Sequence, residues 1–350
     1  MPHMATRETI WNLPHIEVID DLGSVTETRP AAVLTGNRAW NAVGSLLNLP
    51  IVVQAEPRTA EQGFLNSLAD GLPEHVEVVY GIGGGLAADS AKYVAHKTGK
   101  PAVIIPTSLS VDGFFTSLVA VRKDGSVAYE TTGPAEKVYV DFDVVSSAPD
   151  HIRGTGIVEI LSMTTGLLDW KYAADRRKNA PHERYQLWAA QVAASIAQQA
   201  YKIADAVGRG SPDALRKLLD LICVEVQLTN QLGHNRPQEG AEQFFAYAIE
   251  PRASHAQGVP YSDLVGPGIL IAAALHDQNI APIRDTLLSA GVRLGQLRRD
   301  DIVETLQILP DYVKQHNLPY SIVNDLDINS DEAQRLLART GLDLSDEHPL

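Results

Sequence analysis

The segment VVYGIGGGLAADSAKYVA, residues 78–95, decides the fold of the N-terminal half of the chain. A short apolar run leads into three consecutive glycines, Gly83, Gly84 and Gly85, and an alanine-rich stretch with helical spacing follows. This order predicts a strand, a tight turn and a helix. Glycine lets backbone amides approach a ligand closely, and the positive end of the helix dipole lies at the same point. The segment therefore predicts a turn that binds the phosphates of a dinucleotide, with a plain tight turn as the alternative.

Short apolar runs alternate with helical patterns on both sides of this turn, through about residue 150. Continuous apolar strands separated by helices indicate a parallel sheet that is covered on both faces. We predict strands at 31–36, 51–56, 76–84, 101–107 and 137–145, helices at 38–47 and 86–98, and a hairpin at 119–131 that turns at Asp124-Gly125.

The composition changes near Ala148-Pro149, after which Ala, Leu, Gln and Glu dominate and apolar residues recur every three or four positions. We predict helices at 155–175, 183–206, 212–232, 238–249, 264–278, 283–293 and 298–315. The predicted fold is a Rossmann-like α/β domain over 1–150 and an all-α domain over 151–350, with a cleft between them.

The bulk composition narrows the classes of function. The 350 residues include 29 basic and 43 acidic side chains, a net charge of −14 that disfavours binding to nucleic acids and anionic membranes. Because the sequence has one cysteine and shows no signal peptide or membrane-spanning run, we expect a cytoplasmic protein. We expect its partners to be a small-molecule substrate and further copies of the same chain.

The stretch GIGGGLAADSAKYVAHKTGKPAVIIPTSLSVDG, residues 81–113, resembles the GGG-x-x-x-D-x-A-K … P-T motif of the dehydroquinate synthase-like superfamily, which includes the iron-containing alcohol dehydrogenases. The resemblance continues through 138–160 and through LLDWKYA, residues 167–173. NRPQEGAEQFFAYAIE, residues 235–250, is similar to a segment of glycerol-1-phosphate dehydrogenases. The resemblance covers nearly the whole chain, and it implies the dehydroquinate synthase-like fold and an NAD(P) cofactor.

The resemblance also implies which residues contact that cofactor. The pyrophosphate would lie against Gly83, Gly84, Gly85, Leu86 and Ala87, and the nicotinamide side would be lined by Thr107, Ser108, Leu109, Ser110 and Thr116. Thr107 and Ser108 could instead satisfy the backbone of their own turn. Glu56, at the end of a strand, could accept a hydrogen bond from a ribose hydroxyl and disfavour a 2′-phosphate, or it could be an ordinary solvated side chain.

Members of this superfamily normally hold a divalent metal through one acid and two histidines. By resemblance the acid corresponds to Glu159, the first histidine to Gln243 and the second to Tyr261. An amide oxygen and a phenol are poor substitutes for imidazole on zinc or ferrous iron. We therefore expect no bound catalytic metal, unless His255 or His234 approaches Glu159 from a neighbouring loop.

Without a metal, other groups must stabilise or protonate the substrate oxygen. Tyr247, Tyr261 or His255 could donate a hydrogen bond to it, and a buried Glu159 would have a raised pKa and could exchange protons. Asp112 corresponds to an acid that contacts substrate hydroxyls in the glycerol-phosphate enzymes, although it could also simply form a turn before Gly113.

These observations favour an NAD(P)-dependent oxidoreductase that acts on a small polyol, a polyol phosphate or a carbonyl compound. One alternative is a sugar-phosphate cyclase or lyase that uses NAD transiently, which the glutamate at position 159 suggests. Against it, PTSLSVDGFFTS, residues 106–117, lacks the V-D-S-S-x-G-G-K-T run of dehydroquinate synthases. Another alternative is a degenerate member that binds dinucleotide while its cleft has a different use.

Overall fold

The computed structural model describes residues 10–252 and 259–342. Within these ranges the strands are β1 (His15–Ile19), β2 (Ala31–Thr35), β3 (Ile51–Ala55), β4 (Val78–Gly83), β5 (Ala102–Pro106), β6 (Leu118–Lys123), β7 (Ser126–Thr131) and β8 (Lys137–Asp141). The helices of the first half are α1 (Asn37–Val43), α2 (Gln62–Asp70), α3 (Gly85–Thr98) and α4 (Phe142–Ser146). The later helices are α5 (Asp150–Arg153), α6 (Gly156–Asp175), α7 (Leu187–Gly208), α8 (Pro212–Leu232), α9 (Ala241–Ile249), α10 (Tyr261–Leu275), α11 (Ile280–Ser289), α12 (Arg299–Gln315) and α13 (Ser330–Thr340).

Six strands form one parallel sheet in the order β1-β8-β5-β4-β2-β3. Its inner strands β2, β4 and β5 are buried along their whole length, whereas the edge strand β3 is partly exposed. This pattern explains why the inner strands have uninterrupted apolar sequences. The carboxyl ends of the six strands lie at the same edge of the sheet, where open α/β folds bind their ligands. The α/β prediction for the first half is confirmed.

The predicted hairpin is confirmed as the antiparallel pair β6–β7. Asp124 and Gly125 both have positive φ, 52° and 76°, as a type I′ turn requires. The hairpin packs on α2 and α3 through β6 and on α9 through β7. It therefore connects the sheet half with the helical half.

The chain after β8 is helical, as predicted, and α6 to α12 lie within a few residues of the expected bounds. Helix α7 begins at Leu187 rather than at 183, because Pro181–Glu183 forms a separate 3-10 turn. Helix α13, with Asn329 at its N-cap, was not predicted. The domain boundary near residue 150 stays a prediction. No helix among the described residues is long and apolar enough to cross a membrane.

The strand predicted at 137–145 is too long. It ends at Asp141, whose side chain accepts hydrogen bonds from the amides of Asp143 and Val144 and so begins α4. The β-branched pair Val144-Val145 favoured a strand, but the cap determines the local structure. Strand β1, which pairs with β8, was not predicted at all.

Candidate active site

The glycine turn lies between β4 and α3, at the carboxyl edge of the sheet. Gly83 has a φ of +140°, a conformation that side chains rarely adopt, and a Cβ on this residue would lie 3.2 Å from that of Ala39. Gly84 is extended, and a Cβ on it would meet nothing within 4 Å. The backbone at Gly84 is therefore open to a ligand, directly in front of the amino terminus of a 14-residue helix.

A fourth glycine, Gly81, holds the helix against the strand. A Cβ on Gly81 would lie 2.8 Å from the Cβ of Ala91 and 2.9 Å from the carbonyl oxygen of Ala87. Ala87 is itself buried, whereas Leu86 is 37% exposed. The side chain of Leu86 is therefore accessible to a bound molecule, whereas that of Ala87 is not. Cofactor contacts by Leu86 and Ala87 stay predictions.

The predicted nicotinamide-side residues follow β5, next to the glycine turn. The amide of Thr107 donates to the carbonyl of Gly83, and the hydroxyls of Ser108 and Ser110 lie 3.1 Å apart. Leu109 is fully buried, and a Cβ on Gly156 would overlap its carbonyl oxygen. Packing against the start of α6 therefore accounts for Leu109, and its cofactor contact stays a prediction.

Glu56 lies just beyond β3 at the same edge of the sheet. Its carboxylate accepts a 2.8 Å hydrogen bond from the side-chain amide of Asn37 and a 3.3 Å bond from the backbone amide of Asn37. Asn37 follows β2, the strand next to β4. The structure thus places Glu56 two strands from the glycine turn, and its hydrogen bond to a ribose stays a prediction.

The motif residues Asp89 and Lys92 connect α3 to the hairpin. Lys92 is buried, and its ammonium lies 3.7 Å from Asp89 while donating to the carbonyls of Thr116 and Leu118. Asp89 also accepts a hydrogen bond from the amide of Ala120, and burial raises its pKa to about 6. Thr116, a predicted cofactor contact, uses its hydroxyl to donate to Leu118.

Asp112, in the turn after β5, lies close enough to Glu159, on α6, for the two acids to interact electrostatically. Asp112 accepts a 3.1 Å hydrogen bond from the side-chain amide of Gln238, which comes from the loop before α9. The carboxylate of Glu159, in the first turn of α6, accepts no hydrogen bond from any described residue, and Glu159 is 7% exposed. Burial raises the pKa of both acids, and the neighbouring Asp112 raises that of Glu159 further.

Two further acids surround this pair. Glu225, on α8, is fully buried, and neither of its carboxylate oxygens has a hydrogen-bond partner. Burial raises the pKa of Glu225, and Asp112 and Glu159 raise it further. Glu239 also has a raised pKa, chiefly from burial, although it accepts a 2.9 Å hydrogen bond from Tyr247.

A group of tyrosines lies beside these acids. The hydroxyl of Tyr129, on β7, is 2.9 Å from that of Tyr247, and the rings of Tyr247 and Tyr261 are stacked. Tyr261 donates a 2.6 Å hydrogen bond to Oε1 of Gln243. Burial and the neighbouring Tyr129 both raise the pKa of Tyr261, so its hydroxyl keeps its proton at neutral pH.

Arg122, on β6, completes the group. Its guanidinium binds Glu250 through two hydrogen bonds of 2.9 Å and lies 5.9 Å from the centre of the Tyr261 ring. Arg122 and Tyr129 were not predicted as site residues. Both residues lie on the two strands of the hairpin that the sequence predicts. The sequence pattern did not show, however, what this hairpin packs against.

Residues 21–149 match the family model described as iron-containing alcohol dehydrogenase. The glycerol-1-phosphate dehydrogenase (NAD(P)+) of Aeropyrum pernix is 28% identical over 86% of this chain and 83% of its own length. The enzyme of the same name from Methanothermobacter thermautotrophicus is 28% identical over 91% and 93%. A probable glycerol dehydrogenase from Sinorhizobium meliloti superposes with a TM-score of 0.70 at 19% identity, covering 96% of this chain and 99% of its own.

The chain is thus similar to iron-containing alcohol dehydrogenases over residues 21–149 and to glycerol-1-phosphate dehydrogenases over most of its length. The expected resemblance is therefore confirmed, and with it the dehydroquinate synthase-like fold.

The resemblance predicts Gln243 and Tyr261 at the positions of the metal-binding histidines, and the side chains of these two residues bind each other. An amide and a phenol that are hydrogen-bonded to each other do not fit zinc or iron as ligands beside Glu159. Among residues 10–252 and 259–342, no three His, Cys, Asp or Glu side chains are arranged to hold a metal ion. The absence of a bound metal stays a prediction. His255 lies outside the described residues.

The other candidate residues near this loop lie in the interior of the helical half. Arg236 donates to the carbonyls of Asp169 and Tyr320, and it is 1% exposed. The ring of His234 accepts from the amide of Arg236, and burial lowers its pKa to about 4. Both residues thus make packing and loop contacts, and neither binds Glu159.

Proposed function

We propose that the chain is an NAD(P)-dependent oxidoreductase that interconverts a small polyol and the corresponding carbonyl compound. The observation that carries this proposal is the open backbone of Gly84 in front of α3, on the same side of the sheet as Asp112. The names of the relatives from Aeropyrum pernix and Methanothermobacter thermautotrophicus support the cofactor and the reaction class. The bound nicotinamide would supply or accept a hydride.

The side chains around Glu159 would handle the proton. In carbonyl reduction the substrate oxygen gains a proton, and Glu159, kept protonated by burial and by Asp112, is suited to donate it. Tyr261 would contribute a second hydrogen bond to the developing oxyanion by turning its hydroxyl away from Gln243. Asp112, oriented by Gln238, would accept a hydrogen bond from a substrate hydroxyl.

We further propose that these steps need no metal. The reason is the chemistry of the donors, since the amide of Gln243 and the phenol of Tyr261 already satisfy each other. Hydrogen-bond donors stabilise a developing oxyanion less than a Lewis acid does, so we expect a modest kcat.

The test is net consumption of NADH and NADPH with three-carbon hydroxyketones, in the purified protein after dialysis against a chelator. Stoichiometric NAD(P)H oxidation with formation of the polyol is expected. Substrate turnover without net cofactor change would favour the cyclase or lyase class instead. Dinucleotide binding without any turnover of these compounds would favour a degenerate member.

A further inference from the structure

Buried hydrogen-bond acceptors of the candidate site lack donors. Both carboxylate oxygens of Glu225 and the Oε1 atom of Gln238 are buried and have no partner among the described residues. The carboxylate of Glu159 accepts no hydrogen bond from them either. Glu225 belongs to this site because α8 packs against α6 and against the turn Asp112–Phe114. A buried acceptor without a donor is costly, so the group that is missing here is a donor.

The cations near these acids are already engaged. Lys92 is held by Asp89 and by two backbone carbonyls, and Arg122 is bound by Glu250 through two hydrogen bonds along one edge of its guanidinium. An anionic substrate group at Asp112, Glu159 and Glu225 would thus meet three buried acids and no available cation among the described residues, so its charge would stay uncompensated. A cationic group would instead favour the ionised form of these acids and pair with it.

Arg236 does not change this balance. Two of its nitrogen atoms, Nε and Nη1, have no partner among the described residues, but the side chain is fixed to the carbonyl of Asp169. Asp169 is ten residues from Glu159 along α6, which corresponds to about 15 Å of helix. A three-carbon phosphate ester is too short to bind Arg236 and react beside Glu159.

We propose that the site selects a substrate with an ammonium group next to its hydroxyls, an amino-polyol or its carbonyl counterpart, and discriminates against phosphate esters. This inference rests on the proposed function and specifies its substrate class. An ammonium supplies three donors and one positive charge, which is what Glu225 and its neighbours lack. A metal ion would supply charge as well, but no three ligands among the described residues are arranged to hold one.

The reaction itself is the ordinary one. In the oxidation direction the nicotinamide cofactor would accept the hydride of the carbinol carbon, and Glu159, ionised beside the bound ammonium, would accept the hydroxyl proton and pass it to solvent. The carbonyl product would keep its ammonium group. The amine is a recognition element, and no bond to nitrogen forms or breaks.

Three compounds with the same carbon skeleton test the proposal: 3-amino-1,2-propanediol, glycerol and sn-glycerol 1-phosphate. At neutral pH the amine is protonated, and we expect its kcat/KM for NAD+ reduction to exceed that of glycerol by about tenfold or more, the scale of one hydrogen bond to a charged group. The phosphate ester should be the poorest substrate. A kcat/KM for the phosphate ester above that of the amine, or equal values for the amine and glycerol, would overturn the proposal.

Glu225→Gln keeps the shape of the side chain and removes its charge. We expect the ratio of kcat/KM for the amine over glycerol to fall by about tenfold in this variant. Asp220→Asn is the matched control, because Asp220 lies on the exposed face of α8 and pairs with Arg216 at the surface, and the ratio should not change there. An unchanged ratio in Glu225→Gln would remove Glu225 from recognition and contradict the proposal.

Calorimetry separates this inference from the proposed function, because it needs no turnover. The probe is 3-amino-1,2-propanediol titrated into the protein saturated with NADH, before and after Glu225→Gln. Binding that weakens in the variant, together with no redox activity, would support the inference and contradict the proposed function. Efficient oxidation of glycerol 1-phosphate would support the proposed function and contradict the inference.

Discussion

The hydroxyl of Tyr261 donates a 2.6 Å hydrogen bond to Oε1 of Gln243, and these are the two residues that the resemblance to the superfamily predicts at the positions of its metal-binding histidines. Burial and the neighbouring Tyr129 raise the pKa of Tyr261. A phenol and an amide oxygen that are hydrogen-bonded to each other are poor ligands for a metal cation. This contact is the structural basis of the proposal that the substrate is activated without a metal.

From this contact we predict metal-independent activity. The purified protein should carry much less than one metal ion per chain, and chelation should leave kcat unchanged. The double variant Gln243→His/Tyr261→His should acquire zinc, because both imidazoles would then face Glu159 at the positions that superfamily members use. Elemental analysis measures both results, with Tyr261→Phe as the control that gains no metal. A stoichiometric metal in the wild-type protein, lost together with activity, would contradict this prediction.

Gly84→Val tests the placement of the cofactor. Gly84 is extended and a Cβ there meets nothing within 4 Å, so the fold should tolerate the branched side chain while the approach of a pyrophosphate is blocked. We expect calorimetry to show no NADH binding and circular dichroism to show an intact fold. Gly63→Val, at another open glycine in α2, should bind NADH normally. Equal affinity in both variants would place the cofactor elsewhere.

The fold could be predicted from the sequence because apolar residues at buried positions recur with the pattern of a strand or of a helix. The apolar strands β2, β4 and β5 and the helices from α6 to α12 were all recognisable. Edge strand β1, which is only half buried, and helix α13, with its polar first turn, gave weaker signals. After β8, the side chain of Asp141 caps α4 by accepting hydrogen bonds from the amides of Asp143 and Val144. This cap outweighed the strand propensity of the valines that follow.

The candidate site was predictable only where the chain follows the superfamily. Resemblance gave Asp112, Glu159 and the residues of the glycine turn. It could not give Glu225 or Arg122, because their importance comes from what packs against them across the two halves of the molecule. Asp89 and Lys92 were recognised as a motif, but only the structure shows that they hold the hairpin.

Glu159→Gln tests the proton step. Because burial and Asp112 favour the protonated form, we expect Glu159 to act as a donor that glutamine cannot replace. Turnover should fall by about 10²-fold or more, the usual scale for a positioned acid–base group, with little change in NADH affinity. Steady-state kinetics and calorimetry measure the two effects separately. Wild-type turnover in this variant would show that Asp112 and the tyrosines, rather than Glu159, carry out the proton step.

Because of the buried carboxyl group of Glu242, the free energy of unfolding should fall as pH rises. Burial and the nearby Asp169 raise its pKa from 4.5 to about 8, so the folded protein holds a proton that the unfolded chain releases. The resulting stability is complete below about pH 4.5 and is lost as pH rises towards 8, at about 1.4 kcal/mol per unit. Glu242→Gln mimics the protonated acid and should flatten the fall in Tm between pH 6 and pH 9, roughly the range of this titration. Parallel Tm curves for the two proteins would show that the carboxyl does not titrate in this range.

The hairpin β6–β7 is fixed to both halves of the molecule. Its base is held by the buried ammonium of Lys92 on α3, and a buried 2.9 Å hydrogen bond joins Ser126, at its turn, to Tyr312 on α12. Between these ends, Arg122 binds Glu250 and the hydroxyl of Tyr129 lies 2.9 Å from that of Tyr247. Because Lys92 lies on the helix that begins at the glycine turn, the hairpin is a direct mechanical link between that turn and the side chains of the candidate site.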